Sequence, residues 1–261
     1  MFRTAILGFG MMILIFEPAS AQAPDSLIMQ GKQVITQAVV GWNNDGMQQA
    51  RAHFERLLSI GHREALVHYY VAYCDQQLST YHRHGDEGTK QSIATADKFL
   101  EDGIQHLEKA IQLERDFAEA YALLGSLYGE KIGASPLLGM SLGPKSGMHL
   151  AKARELAPEN PRVAYLDAIG RYYTPEMFGG SKEKAISGLY QAAALFATWQ
   201  SPDPFAPDWG HAECYAMLGQ FLSAQQRTAE ARTALAKALE IRPDYGWVKH
   251  VLLPQLDAAP K

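Results

Sequence analysis

The sequence has few cysteines and no excess of positive charge. Two cysteines in 261 residues are too few for a disulfide scaffold or a four-thiolate zinc site. Lysine and arginine number 24 against 28 aspartate and glutamate, which argues against nucleic-acid binding because nucleic-acid-binding proteins carry a basic stripe. The sequence also lacks a phosphate-binding loop and a dinucleotide fingerprint. We therefore expect no nucleic-acid partner, no cofactor and no metal.

Only one long hydrophobic run is present, the 13 residues Thr4–Phe16. Ala19 and Ala21 then supply small residues at the −3 and −1 positions of a cleavage site, so residues 1–21 are predicted to be a secretory signal peptide. A transmembrane anchor is the alternative, but such a run spans about 20 Å as a helix, short of a hydrocarbon core of roughly 30 Å. No cysteine directly follows the run, so we expect no lipid anchor. The sequence thus predicts a periplasmic or secreted protein without a membrane span after cleavage.

The remaining sequence has a helical apolar period and no alternating strand pattern. Its clearest motif fills one 34-residue unit, Ala212–Tyr245. The unit consists of Tyr215-x2-Leu218-Gly219-x2-Leu222 followed by Ala231-x3-Leu235-x2-Ala238-x4-Pro243. Bulky residues and a glycine on a first helix face small alanines on a returning helix, and proline ends the unit. In these residues the sequence resembles the tetratricopeptide repeat family.

Less complete copies of the pattern precede this unit. Tyr121-x2-Leu124-Gly125-x2-Tyr128 repeats its first half, and Ser146-x3-Leu150-x2-Ala153-x4-Pro158 repeats its second half. The predicted hairpins of a single domain over 26–257 are 26–62, 65–117, 118–160, 161–199 and 212–245, with a cap at 246–257. Because a lone hairpin cannot bury its apolar face, we expect an all-α α-solenoid, with a plain helical bundle as the alternative. Cys74 and Cys214 fall in different hairpins and are expected to be buried free thiols.

Two narrower resemblances concern the turns between helices. The residues that carry the first are Asn160-Pro161-Arg162, Thr174 to Gly180, Trp209-Gly210-His211 and Tyr245-Gly246-Trp247-Val248. This block is similar to secreted bacterial tetratricopeptide proteins of mostly unassigned function. The turn Phe178-Gly179-Gly180 is similar to the periplasmic T component of tripartite ATP-independent transporters.

The family resemblance implies a concave groove lined by positions 2, 5, 9 and 12 of each first helix. Among the residues at these positions, the candidates for partner binding are Trp42, Tyr69, Tyr73, Glu119, Arg162, Tyr165, Tyr172 and Glu213. Aromatic side chains provide contact area at low entropic cost, so this groove suits an extended peptide or a helix, oriented by the arginine and the glutamates. In the alternative interpretation, longer helices in the second and fourth hairpins fold inward and the tyrosines belong to the core.

An apolar insertion, residues 134–144, separates the two helices of the third hairpin. Its candidate contact residues are Leu137, Leu138 and Met140. Long loops in repeat proteins often contact partners, although this one could also fold onto its own repeat. It contains Gly139-x-Ser141-x-Gly143, the spacing of a hydrolase nucleophile, but that motif requires a preceding strand. We therefore do not expect Ser141 to be catalytic.

Together these features predict an exported, non-enzymatic scaffold that binds a protein or peptide segment in its concave groove. The alternative is a periplasmic accessory protein of a transport system, in which the insertion near Leu137 closes over a small organic solute. A protein partner would require a wide, open groove, whereas a solute would require an enclosed cavity. An enzyme would require a convergent cluster of polar residues, which we do not find in the sequence.

Overall fold

The computed structural model describes residues 23–84 and 89–258, and these residues form eleven α-helices and no strand. This confirms the predicted all-α solenoid. The predicted signal peptide, residues 1–21, lies outside the described residues. None of the described helices combines the length and the hydropathy that a bilayer-crossing segment needs.

Ten of the helices in the described part of the chain form five antiparallel pairs. The pairs are α1 (Pro24–Gly41) with α2 (Asn44–Leu58), α3 (Glu64–His84) with α4 (Lys90–Leu113), α5 (Ala118–Ala134) with α6 (Gly139–Leu156), α7 (Pro161–Tyr173) with α8 (Lys182–Thr198), and α9 (His211–Ala224) with α10 (Thr228–Ile241). A π-helical turn, Val248–Leu252, and a short helix, α11 (Leu253–Ala258), follow the last pair. The pairs follow one another along the chain, and α1 begins at Pro24, before the first hairpin range derived from the sequence.

In the third and fifth hairpins the two helices approach closely because a glycine on the first helix meets a leucine on the second. In the last pair, a Cβ added to Gly219 would lie 2.5 Å from Leu235 Cδ2. In the third pair, a Cβ on Gly125 would lie 2.8 Å from Leu150 Cγ. Contacts this short leave no room for a side chain, so the glycines of the repeat motif set the distance between the paired helices.

The insertion in the third hairpin is not the loop that its glycines and prolines predicted. Residues Pro136–Leu138 form a 3-10 turn, and α6 begins directly afterwards at Gly139 and contains Pro144. Tertiary packing of the rest of α6 through Leu150 and Ala153 outweighs the low helix propensity of its first turns. The insertion therefore lengthens the returning helix.

The solenoid curves far enough to bring its first and last helices together. A Cβ on Gly246 would lie 3.0 Å from the carbonyl oxygen of Val40, at the end of α1. First helices of successive pairs also contact each other, as α1 contacts α3 and α5 contacts α7. These helices line the inner side of the curve, which we call the concave face. Cys74 and Cys214 are buried and free, as expected.

Candidate functional site

A twelve-residue stretch between α8 and α9, residues 199–210, crosses the concave face. We call it the crossing segment. It contains Pro202, Pro204 and Pro207 and has no helix or strand of its own. Its residues contact α1 and α3, which precede it in the chain by more than a hundred residues. The concave face is therefore occupied by an irregular part of the same chain, which includes a turn at residues 203–206.

Two side chains of the concave face hold the backbone of the crossing segment. The ammonium group of Lys32 donates hydrogen bonds of 2.9 Å and 2.7 Å to the carbonyl oxygens of Pro204 and Ala206. The hydroxyl of Tyr70 donates a 2.7 Å hydrogen bond to the carbonyl oxygen of Phe205. Three consecutive carbonyl groups are thus satisfied by donors from two helices. Because these hydrogen bonds go to backbone carbonyl groups, they do not depend on the side chains of the bound segment.

In the outer half of the crossing segment, residues 201–206, one charged residue contacts the side chains of Asp203 and Phe205. The guanidinium of Arg63 donates a 2.7 Å hydrogen bond to Asp203 and lies 4.6 Å from the centre of the Phe205 ring. Asp203 also accepts a 3.0 Å hydrogen bond from the backbone N–H of Phe205, so the acid and the ring are held in one turn. Arg63 and Asp203 remain more than one-third exposed to solvent. This half of the segment therefore lies at the rim of the concave face.

The inner half is anchored by Trp209, which is only 8% exposed. Its ring stacks on Tyr73 at a centroid distance of 4.6 Å and meets the edge of Tyr165 at 6.2 Å. Its indole N–H donates a 3.0 Å hydrogen bond to the hydroxyl of Tyr69. Burial raises the pKa of all three tyrosines above the ordinary value, so they are neutral hydrogen-bonding groups at any physiological pH.

Gly210 directs Trp209 inward. Its φ of +118° lies in the region that favours glycine, and a Cβ there would lie 2.5 Å from Phe196 Cζ. The N–H of Gly210 donates a 3.0 Å hydrogen bond to Glu213, a residue of the first turn of α9. The turn from the crossing segment into α9 therefore requires glycine for both conformation and space.

Charged residues next to Trp209 are paired within the fold. Arg162, 1% exposed, lies 3.4 Å from a carboxylate oxygen of Glu119 and 3.3 Å from the carbonyl oxygen of Trp209. Glu213 pairs with Arg242 of the last hairpin. Because removing one partner would leave a buried unpaired charge, these pairs are structural elements of the concave face.

A cavity of about 190 Å³ remains between α1, α3 and the last hairpin. Apolar side chains, among them Ile35 and Val39, line it together with Tyr73 and Trp209. Lys32, Asp208, Glu213 and Arg242 bring two positive and two negative charges to its wall. The cavity is smaller than the roughly 300 to 1,000 Å³ of most ligand pockets.

The structure brings together six of the eight groove candidates and separates two. Tyr69, Tyr73, Glu119, Arg162, Tyr165 and Glu213 lie around Trp209 or the charged pairs next to it. Trp42 instead lies in the turn between α1 and α2, with its ring 5.9 Å from Tyr81. Tyr172 stacks on Phe221 at 3.6 Å. Whether these eight residues bind a partner stays a prediction.

The three central tyrosines do not line an open groove. Tyr69 and Tyr73 are fully buried and Tyr165 nearly so, because the crossing segment covers them. This is nearer to the alternative in which the tyrosines belong to the core. The residues that cover them belong to a connection between helices, however, and not to longer helices folding inward.

The insertion residues lie on the surface, away from this cluster. Leu137 and Met140 are 93% and 94% exposed, and Leu138 is half-buried. The hydroxyl of Ser141 donates a 3.1 Å hydrogen bond to the carbonyl oxygen of Leu138, its neighbour in the turn. These side chains close neither the concave face nor its cavity.

The crossing segment is the part of the site that the sequence interpretation missed. The hairpin ranges left residues 200–211 unassigned, and three prolines in this interval exclude a helix. Helix–helix connections usually have about 2 to 8 residues, so an interval of this length with Phe205 and Trp209 was the available signal.

Comparisons with known proteins agree with this architecture. The family model described as tetratricopeptide repeat matches residues 212–245. A haemophore, HusA from Porphyromonas gingivalis, is similar with a TM-score of 0.63 and 23% identity, over 79% of this chain and 96% of that one. A thermophilic TPR protein in Thermus thermophilus is similar with a TM-score of 0.63 and 17% identity, over 90% of this chain and 99% of that one. A search of curated proteins found no match.

The fold is thus an α-solenoid of stacked helical hairpins, the architecture of many protein-interaction scaffolds. The family model matches one unit, so residues 212–245 form a tetratricopeptide repeat, and the four further hairpins give the chain the fold of tetratricopeptide-repeat proteins.

Proposed function

We propose that the chain is an exported, non-enzymatic interaction module that binds a peptide or protein segment of a partner on its concave face. The observation that carries this proposal is the way in which Lys32 and Tyr70 bind three successive backbone carbonyls of the crossing segment. The concave face thereby already holds a peptide segment, although that segment belongs to the same chain.

Access to this face lies at the cavity next to the crossing segment. Thr36 is exposed and lines the cavity beside Lys32 and Asp208. A partner segment that enters here meets the stacked rings of Tyr73 and Trp209 and charges of both signs. Mixed charges around an apolar floor favour one orientation of the partner over the other.

A photo-crosslinking amino acid at Thr36 tests the proposal in intact cells. The matched control is the same amino acid at Thr233, an exposed threonine of the returning helix α10. We expect one protein to be captured from Thr36 and not from Thr233. Mass spectrometry should then map the cross-link to one continuous segment of that protein. Equal capture from both positions, or none from Thr36, would contradict the proposal.

The second candidate is an accessory protein that binds a small organic solute. The cavity favours it, and so does the haemophore among the structural neighbours. A porphyrin is much larger than a cavity of about 190 Å³, so only a smaller molecule fits without displacement of the crossing segment. A thermal shift with a metabolite, together with no capture from Thr36, would favour this function.

A further inference from the structure

The two halves of the crossing segment are held very differently. Trp209 is buried among three tyrosines, whereas Pro202 and Pro204 are exposed and the rest of 201–206 is only half-buried. The ion pair of this outer half, Arg63 with Asp203, is also open to solvent, and exposed pairs contribute little to stability. The other bonds, from Lys32 and Tyr70, go to backbone carbonyls, which any peptide carries. A partner segment can therefore replace residues 201–206 at the rim while Trp209 keeps its place.

The departure of residues 201–206 exposes a specific set of groups. Lys32, 5% exposed, loses two carbonyl acceptors, and Tyr70 loses one. Arg63 loses both a carboxylate and an aromatic ring. These donors cannot be satisfied by an apolar surface. They match a peptide turn that carries an acidic residue two positions before an aromatic one.

We propose that residues 201–206 occupy the partner site in the free protein, and that the partner segment has the same chemistry: an acidic residue, a proline and an aromatic residue in a tight turn. This inference rests on the proposed function and specifies its ligand. The resident sequence Asp203-Pro204-Phe205 forms a turn closed by a 3.1 Å hydrogen bond from the N–H of Ala206 to the carbonyl oxygen of Asp203, and the partner reproduces this pattern. Proline favours this geometry because its fixed φ suits the second position of a turn and restricts the free peptide.

The test uses a labelled peptide with the sequence of residues 200–208 and a variant in which the resident contacts are removed. The variant is Asp203→Ala with Phe205→Ala, called the opened variant. Its matched control is Asp244→Ala with Phe178→Ala, which changes the same residue types at exposed positions. Binding is followed by fluorescence anisotropy, and folding by circular dichroism.

We expect the opened variant to bind the peptide at least tenfold more tightly than the unsubstituted chain and the control variant. In both of those chains a tethered competitor is present at millimolar effective concentration. A peptide with alanine in place of its acidic and aromatic residues should bind at least tenfold more weakly. Lys32→Met in the opened variant should also weaken binding, because it removes the donor to two carbonyls.

Several results would overturn this inference. They are equal binding of the two peptides, no binding to the opened variant, and equal binding to all three chains. A dimer of the unsubstituted chain that becomes monomeric in the opened variant would also overturn it, because the occupant would then be the segment of a second copy. If the double substitution reduces helicity, the single substitution Phe205→Ala replaces it.

The peptide experiment tests the ligand chemistry, and the cross-linking experiment tests the proposed function, so their results can be told apart. Capture of a protein segment at Thr36 with no peptide binding would retain the proposed function and reject this ligand chemistry. Peptide binding without capture would support this ligand chemistry and contradict the capture of a partner protein that the proposed function predicts. Failure of both would reject the two proposals together.

Discussion

Trp209 donates the hydrogen bond of its indole nitrogen to the hydroxyl of Tyr69, a residue 140 positions earlier in the chain, at 3.0 Å. Both groups are buried, and each supplies the partner that the other needs. The bond joins the crossing segment to the second hairpin. It also accounts for the position of Tyr69, whose hydroxyl would otherwise lie unpaired in an apolar environment.

Replacement of Trp209 by alanine should destabilise the protein strongly. We expect Trp209→Ala to lower the free energy of unfolding by about 3 to 5 kcal/mol, because it empties the space between Tyr73 and Tyr165. Urea unfolding followed by circular dichroism measures the change. Phe178→Ala, at a 72% exposed position, is the control and should change stability by less than about 0.5 kcal/mol. Equal effects of the two substitutions would show that Trp209 does not anchor the segment.

Two glycine substitutions should act in opposite directions. Gly210→Ala should destabilise the protein by at least about 1 kcal/mol, because its φ is +118° and a Cβ would collide with Phe196. Gly147→Ala, in α6 with nothing within 4 Å of the added Cβ, should be neutral or stabilise by about 0.5 to 1 kcal/mol. Thermal unfolding of both variants is the measurement. A stabilised Gly210→Ala would contradict the assigned turn.

Glu130 should make the stability depend on pH. Burial raises its pKa to about 7 from 4.5, although Gln76 and Ser126 donate hydrogen bonds that lower it. Between these two values the folded state holds a proton that the unfolded state has lost, so stability falls as pH rises, by at most about 1.4 kcal/mol per pH unit. Glu130→Gln should remove this contribution and stabilise the protein above pH 7. Urea unfolding across this pH range measures both effects.

The control for the pH experiment is Glu240→Gln, which removes one negative charge at an exposed position. It separates the burial of a carboxyl group from a change in net charge. If Glu130→Gln leaves the difference in stability between pH 4.5 and pH 7 unchanged, Glu130 does not hold a proton in the folded protein.

The two thiols should be unreactive in the folded protein. Cys74 and Cys214 are completely buried, and burial raises the pKa of both, so little thiolate forms and reagents have no access. We expect no alkylation by iodoacetamide at pH 8 in buffer and two alkylated thiols in 6 M guanidinium, counted by mass spectrometry. Alkylation of the native chain, or a disulfide between the two residues, would contradict this assignment.

The exposed residues of the insertion permit a direct test of their predicted contact with a partner. Leu137→Ser with Met140→Ser should change the free energy of unfolding by less than about 0.5 kcal/mol, because both side chains are in solvent. If these residues contact the partner, the yield of the Thr36 cross-link should fall in this variant. An unchanged yield would assign the insertion to the solenoid alone.

The hairpins were predictable because their signal is local. Gly219 and Leu235 lie within one 34-residue unit, and the packing of two adjacent helices determines both residues. The register also placed Tyr69, Tyr73 and Tyr165 on one face, where the structure has them. The repeat motif describes one pair of helices at a time. It therefore contains no information about which part of the chain covers the concave face.

The rest of the site depends on contacts across long sequence separations. Lys32 meets Pro204 and Ala206 only when the first four hairpins have curved into place, and no spacing rule connects these residues. The insertion shows a different limit. Its glycines and Pro144 oppose a helix locally, but packing of the later turns of α6 prevails.

The crossing segment has a consequence for how the chain unfolds. Stacked repeats normally behave as a one-dimensional array in which each unit contacts only its neighbours, so the ends can unravel while the middle persists. Here Lys32 in the first hairpin is bonded to residues 172 and 174 positions later, and Val40 approaches Gly246 at the cap. The two ends of the array are therefore coupled to each other, and the solenoid should melt as a single cooperative unit.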